Sequence, residues 1–313
     1  MQQKEPLHLG QRIHLIDGFD MGWPQRTGTY VIAEEELTLI ETGPSTSVPY
    51  IREGLARLGY TPDQVKYVIV THIHLDHAGG AGLFLQECPN AKLVVHPKGA
   101  RHLIDPSRLI AGARAVYKEQ FDALFDPIVP VPEERLVQKT DGDTLRIGPN
   151  SELHFMDSPG HANHHFSIYD PVSNGMFTGD TAGVHYPMLR KEGIHFVLPS
   201  TSPNQFDPDQ MLRSIERYEK RNLDRIYFGH FGMTEQVEDV YRHIREWLPV
   251  FVATGEEVLA EGLGDRELAQ RLLVRVTEYL QSHGVADDHP VYEVIRLDLS
   301  VCSMGIVDYL QKK

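Results

Sequence analysis

The stretch VIVTHIHLDHAGG, residues 68–80, sets an apolar run against a dense polar one. Val68, Ile69 and Val70 are β-branched and read as a buried strand. His72, His74, Asp76 and His77 follow within six positions, and then Gly79-Gly80. In extended chain, side chains two apart point the same way. His72 and His74 therefore offer two imidazoles to one metal ion. Asp76 and His77 turn into a helix that starts near Gly79, where they can face a second ion, and the glycines let backbone pass close by. Taken alone, the stretch has an ordinary reading too, as a polar loop rich in histidine.

Three further motifs decide between these readings. DSPGHANHH (157–165) makes a tight turn at Pro159-Gly160 with His161 at its exit. MFTGDTAG (176–183) ends a buried strand in Gly179-Asp180, and IYFGHFG (226–232) ends another in Gly229-His230. Singly, His161 or His230 reads as a surface or packing histidine and Asp180 as a turn carboxylate. Together, each at a strand end, they give five histidines and two aspartates. That is the inventory for two divalent ions sharing one carboxylate. Zinc suits the set best, while iron, manganese and cobalt fit it too.

Around these motifs the chain alternates strands and helices. GTYVIAEEELTLIETG (28–43) has a hairpin pattern, SVPYIREGLARLGY (47–60) a helical one, and residues 99–126 are mostly helical. Asp207 is a natural N-cap for a helix over 207–221. Layered α/β architecture follows, with sheets packed together and helices outside. From about residue 235 the pattern turns helical, in VEDVYRHIREWLPVFVATGEEVLAEG, DRELAQRLLVRVTEYLQSHG and RLDLSVCSMGIVDYLQKK. The expected organisation is a main domain over 1–234 and a helical extension over 235–313.

Composition narrows the function classes. Hydrophobic residues make up 41% of 313, enough for a core, and the net charge of −14 disfavours nucleic acid as a partner. The two cysteines, Cys88 and Cys302, give neither a disulfide framework nor a thiolate metal site. MQQKEPLHLGQRIHLIDG at the N-terminus has no long apolar stretch, so no signal peptide is expected. No run approaches the ~20 apolar residues of a membrane span. The expectation is a cytoplasmic protein acting on a small molecule, without membrane or nucleic-acid partners.

The motifs resemble those of the metallo-β-lactamase superfamily. Its H-x-H-x-D-H hallmark is matched by His72 to His77, its later single histidine by His161, its bridging aspartate by Asp180 and its last histidine by His230. The match covers about residues 10–233. The resemblance implies a four-layer αββα sandwich with a two-metal site on one edge. His72, His74 and His161 would hold one ion, Asp76, His77 and His230 the other, and Asp180 would bridge them together with a hydroxide. It further implies a hydrolase in which that hydroxide attacks a carbonyl, and in which Asp76 steadies an oxygen or carries a proton to the leaving group. Asp76 and Asp180 are thus the catalytic candidates.

Departures from the family pattern shape the expected substrate. Many zinc β-lactamases carry a Cys near the second metal where this chain has Asp180, and the diiron flavoproteins usually have Glu where this chain has His74. What remains is hydrolysis of a small ester, lactone or thioester, in the manner of glyoxalase II or the acyl-homoserine lactone lactonases. An iron-dependent oxidoreductase and a phosphodiesterase or β-lactam hydrolase are the alternatives. An early strand that often ends in Asp ends here in Glu41. Either the longer side chain orients the metal ligands, or the local geometry differs.

Substrate contacts are expected from Met21 and Trp23 in GFDMGWPQRTGTY (18–30), as an apolar lid or else part of a packed hairpin. His185 and Tyr186, just after Asp180, face the pocket or else are ordinary surface residues. The stripe Val237, Val240, Tyr241, Ile244, Trp247 and Leu248 must bury against the main domain or a second copy, so a homodimer is one expectation and a closed monomer the other.

Overall fold

A computed structural model describes residues 5–313. The first four residues of the N-terminal stretch lie outside the described residues. The chain folds as two compact units. One comprises residues up to Asp157 with His164–Gly179 and Leu223–Glu235, the other Ser158–Asn163, Asp180–Asn222 and Gln236–Lys313. The terminal helices, expected over 235–313, belong to a unit that resumes at Gln236 and also takes in two earlier segments.

In the first unit, seven strands form one sheet in sequence order: β1 (Leu7–His8), β2 (Ile13–Asp17), β3 (Gly28–Ile32), β4 (Thr38–Ile40), β5 (Tyr67–Ile69), β6 (Lys92–Val95) and β7 (Leu136–Gln138). Pairing is antiparallel through β4 and parallel from β4 to β7. The second sheet begins with β8 (Thr144–Gly148), β9 (Ser151–Asp157), β10 (Phe166–Asp170) and β11 (Gly175–Gly179). Strands β12 (Val184–His185) and β13 (Val197–Leu198) come next in sequence and pair in the second unit. Strands β14 (Arg225–Phe228) and β15 (Met233–Thr234) then complete the sheet in the order β15-β14-β11-β10-β9-β8.

The expected hairpin over 28–43 is β3 and β4. Alternation along the strands builds the core. Leu15, Ile69 and Val94 of the first sheet meet Phe155, Ile168, Phe177 and Tyr227 of the second in one buried cluster. Val31, Leu39 and Val68 point the other way. They pack under α1 (Val48–Arg57), and α2 (Leu75–Ala78) and α3 (Ala81–Glu87) add Ala78, Ala81 and Phe84 to the same cluster. Helices α4 (Pro97–Ile104), α5 (Ser107–Tyr117) and α6 (Phe121–Phe125) account for the helical reading of 99–126. The fold class is the expected one, a mixed α/β sandwich flanked by helices with further helices at the C-terminus.

The second unit contains α7 (Pro208–Glu219), α8 (Val237–Ala260), α9 (Asp265–Ser282) and α10 (Val291–Lys312). Asp207 caps α7 as its sequence implies, accepting from the Gln210 N–H at 2.9 Å. Helix α10 starts five residues before the expected Arg296, because Pro290 stands at its N-cap, where a missing N–H costs nothing. The stripe on α8 is buried, with Trp247 packed against Phe196 and Tyr279.

The same unit buries His185 and His243 and half-buries His195, with ring centroids 5.3 Å apart for His185 and His195 and 6.2 Å for His195 and His243. Burial pushes His195 and His243 down to about 4 from an ordinary 6.5, and Arg242 pushes the same way on both. Arg190 adds to the push on His195 and His283 to that on His243, while Asp239 pulls back on both. Between these values the unfolded chain takes up protons that the folded chain refuses, so stability is intact above about pH 6.5 and falls as pH falls towards 4. The expected loss at about pH 5 is about 2 kcal/mol per histidine. Urea midpoints at neutral and acid pH measure it. His243→Phe should flatten the dependence, and parallel losses in variant and wild type would exclude His243 as a source.

Candidate metal centre

Each ligand candidate of the first unit stands where a buried strand gives out. Beyond β5, Thr71 is pinned by Glu41, whose Oε1 accepts the Thr71 N–H at 3.2 Å and also the Thr71 hydroxyl. That hydroxyl lies 3.0 Å from His72 Nδ1. Its one proton goes to the carboxylate, so it accepts from Nδ1–H, which leaves Nε2 as the His72 nitrogen with a lone pair. Glu41 is buried at a φ of 66°, in the left-handed region, and its Oε2 stands 3.8 Å from His77 Nδ1. The longer carboxylate therefore reaches both His72, through Thr71, and His77.

The His74 carbonyl starts the short turn of α2, accepting from the N–H groups of His77 and Ala78. That turn carries Asp76 and His77, and the Thr42 N–H fixes it by donating to the His77 carbonyl at 2.9 Å. His230 comes from the other sheet. Strand β14 runs parallel to β11, and the Gly229 N–H donates to the Gly179 carbonyl. The loop around His230 is closed by Phe228 N–H to Gly232 C=O, with Phe231 at a φ of 50°. The Tyr30 hydroxyl lies 2.6 Å from the Phe228 carbonyl and 2.7 Å from that of Gly232.

These supports bring Asp76, His77 and His230 together. Asp76 Oδ2 lies 3.6 Å from His77 Nε2 and 3.7 Å from His230 Nε2, and one ligand atom from each lies within 4.8 Å of the others. His77 is fully buried and Asp76 half-buried, so the carboxylate faces the open side. One carboxylate and two imidazoles fit a divalent ion of the zinc type. His72 packs against His77, with ring centroids 4.2 Å apart, and against His74 at 4.7 Å. Gly179 has to be glycine: its φ is 49°, and a Cβ there would collide with His165 and Thr71.

In the second unit, His161 and Asp180 also lie side by side, with His161 Nε2 3.7 Å from Asp180 Oδ2. His161 Nδ1 stands 3.0 Å from the Ser200 carbonyl. A carbonyl only accepts, so Nδ1 carries the proton and Nε2, turned towards Asp180, is the nitrogen that carries the lone pair. Ser202 Oγ lies 3.3 Å from that nitrogen, and the Ser200 hydroxyl donates to Asp180 Oδ2 at 3.0 Å. Thr181 Oγ1 donates to the Ser158 carbonyl and ties the two segments together.

The substrate candidates are placed less uniformly. Met21 and Trp23 sit at the tip of the loop between β2 and β3, Met21 half-buried and Trp23 exposed. His185 and Tyr186 are buried, and the Tyr186 hydroxyl donates to Asp298 Oδ2 of α10 at 3.0 Å. One group goes unmentioned by sequence patterning, the buried Asp20, ion-paired with Arg26 at 3.2 Å. Burial pushes its carboxyl up to about 6 despite Arg26; Asp76 adds to the rise, and His230 and His77 oppose it.

Comparison with known proteins fits this geometry. A family model described as "Metallo-beta-lactamase superfamily" matches residues 22–230. The metallo-beta-lactamase fold-containing protein ST1585 of Sulfurisphaera tokodaii is 24% identical over 240 residues, 75% of this chain and 84% of its own. The N-acyl homoserine lactonase of Bacillus thuringiensis is 27% identical over 179 residues, 56% of this chain and 60% of the lactonase. The solved metallo-beta-lactamase family protein TTHA1429 from Thermus thermophilus shares the fold, with a TM-score of 0.67 at 19% identity over 97% of this chain and 95% of that one.

Proposed function

This chain belongs to the metallo-β-lactamase superfamily, and from that premise we propose that it is a dinuclear zinc hydrolase of a small ester, lactone or thioester. The observation that carries the reading is the convergence of Asp76, His77 and His230, with Asp76 Oδ2 3.6 and 3.7 Å from the two ring nitrogens. By the family pattern, Asp76, His77 and His230 would hold one ion, and His72, His74 and His161 would hold another, with Asp180 serving both. Bound there, divalent ions supply Lewis acidity for a carbonyl and lower the pKa of water towards neutrality.

The chain's own residues do the rest. Glu41 and Thr71 hold His72 in the tautomer that offers Nε2, and the Ser200 carbonyl does the same for His161. Asp76, on the open side, is placed to hold a proton at its carboxylate and pass it to a leaving oxygen or sulfur. No thiolate competes for the nucleophile's role, because burial pushes both Cys88 and Cys302 up to about 12. A lactone is favoured as a substrate by the likeness to a protein named as an N-acyl homoserine lactonase.

Elemental analysis of the purified chain, coupled to a screen of lactones, thioesters, phosphodiesters and β-lactams, tests the reading. Zinc with lactone or thioester turnover is expected. Redox-active iron with oxygen uptake and no hydrolysis would replace it with an oxidoreductase.

A further inference from the structure

Helix α10 carries a glycine, Gly305, in its interior, away from either end. Glycine is the poorest helix former after proline, so its place there calls for a packing reason. That reason is a close approach of backbone. A Cβ on Gly305 would run into the Thr201 carbonyl oxygen and come within 2.6 Å of the Ser202 carbonyl carbon. Both obstacles are main chain, which cannot swing aside as a side chain can, so an added methyl group moves the helix or the segment beneath it.

Other contacts fasten the same segment to the helix. After β13 the chain runs without strand or helix over residues 199–207, until α7 begins. The Thr201 hydroxyl donates to the Cys302 carbonyl at 2.9 Å, and the Cys302 thiol faces the Pro199 carbonyl at 3.7 Å. Further along, Lys312 Nζ donates to the Asn204 carbonyl at 3.1 Å, and Phe206 meets the Tyr309 ring edge-on. The segment thus takes its position from α10.

The same segment holds two metal-ligand candidates. Ser200 lends its carbonyl to His161 Nδ1 and its hydroxyl to Asp180 Oδ2, each at 3.0 Å, and Ser202 Oγ lies 3.3 Å from His161 Nε2. Thr201 stands between the two serines, with its hydroxyl bonded to α10 and its carbonyl seated on Gly305.

We propose that α10 sets the orientation of His161 and Asp180, with Gly305 as the positioning residue. Its bare Cα lets the backbone of residues 200–202 lie against the helix, where the two serines meet the two ligands. The proposal rests on the metal reading above. The terminal helix is then part of the support of the metal centre, although no ligand candidate lies on it.

Zinc titration of the full chain against a chromophoric chelator tests this. Gly305→Ala displaces residues 201 and 202 from α10 and is expected to weaken the ion held by His161 about ten- to a hundredfold, the usual cost of losing a ligand's outer support. The control is Gly255→Ala on α8. A Cβ there would crowd Ile306 and Leu310, so the same helix is pressed, but through its own side chains. It should lower the melting temperature, read by circular dichroism, and leave zinc affinity as in wild type. If Gly305→Ala does not fold, Thr201→Val takes its place. It removes the bond to Cys302 and should weaken the same ion, and Thr201→Ser should restore it. Wild-type affinity for both ions in the folded variant overturns the proposal, as does an equal loss of affinity in Gly255→Ala. If His161→Ala loses an ion while Gly305→Ala keeps both, only the role of α10 falls. If the wild-type chain takes up no zinc, the hydrolase reading falls with it.

Discussion

Replacing His77 by alanine is expected to cut zinc content from about two equivalents to about one and to lower hydrolysis by more than a hundredfold. Removing a residue that merely orients a ligand typically costs 10–100-fold, and His77 is proposed as a ligand itself. Its Nε2 faces Asp76 at 3.6 Å, its Nδ1 faces Glu41 at 3.8 Å, and its ring is fully buried. No water can replace it without entering that enclosed space. The Glu41 carboxylate, with one oxygen committed to Thr71, would also lose the ring facing the other. Elemental analysis and single-substrate kinetics on folded protein measure both effects, and undiminished metal and turnover would remove His77 from the centre.

Arg12→Met is expected to destabilise the chain by about 3–5 kcal/mol, the range for stranding one member of a buried ion pair. At the usual slope for domains of 150–250 residues this lowers the melting temperature by on the order of 10 °C. Arg12 enters the first sheet ahead of β2. Its guanidinium grips Asp170 at the end of β10 with two bonds, 2.9 and 3.2 Å long. It also donates to Ser151 at 2.7 Å and meets Glu34. Asp170 has no exposed side-chain surface, so losing Arg12 leaves a carboxylate shut away from water with only Ser173 and the Val172 N–H as donors. The double variant Arg12→Met/Asp170→Asn should recover part of the loss, because the uncompensated charge is then gone. A melting temperature within a degree or two of wild type for the single variant would show that the cluster is already screened.

The positions of the candidate metal ligands are legible because each stands at the end of an apolar strand. A buried strand gives out just before each: Val68, Ile69 and Val70 before His72, a Pro-Gly turn before His161, and Gly-Asp or Gly-His at Asp180 and His230. Glu41 was legible as a departure, but its reach was not, since that depends on a left-handed backbone and on Thr71, thirty residues on. Asp20 was not legible, because it sits in a loop of glycine and proline with no periodicity to mark it as buried. The grip of Tyr30 on the His230 loop spans 198 and 202 residues and obeys no sequence spacing. The start of α10 was misjudged because Pro290 looks like a breaker until its place at the helix entry is seen. The burial of His243 depends on Phe196, which comes from a separate segment and packs edge-on against it.

The contact of Tyr30 with the His230 loop has a consequence for how this protein can change. The Tyr30 ring packs edge-on against Phe177 and Tyr227, which stack on each other in the interior of the sandwich, while its hydroxyl holds the corner from which His230 projects. The aim of that imidazole is thus tied to a side chain rooted in the buried core. Tyr30→Phe keeps the ring in the core and removes only the hydroxyl, so it would release the corner at His230 with no change at the surface.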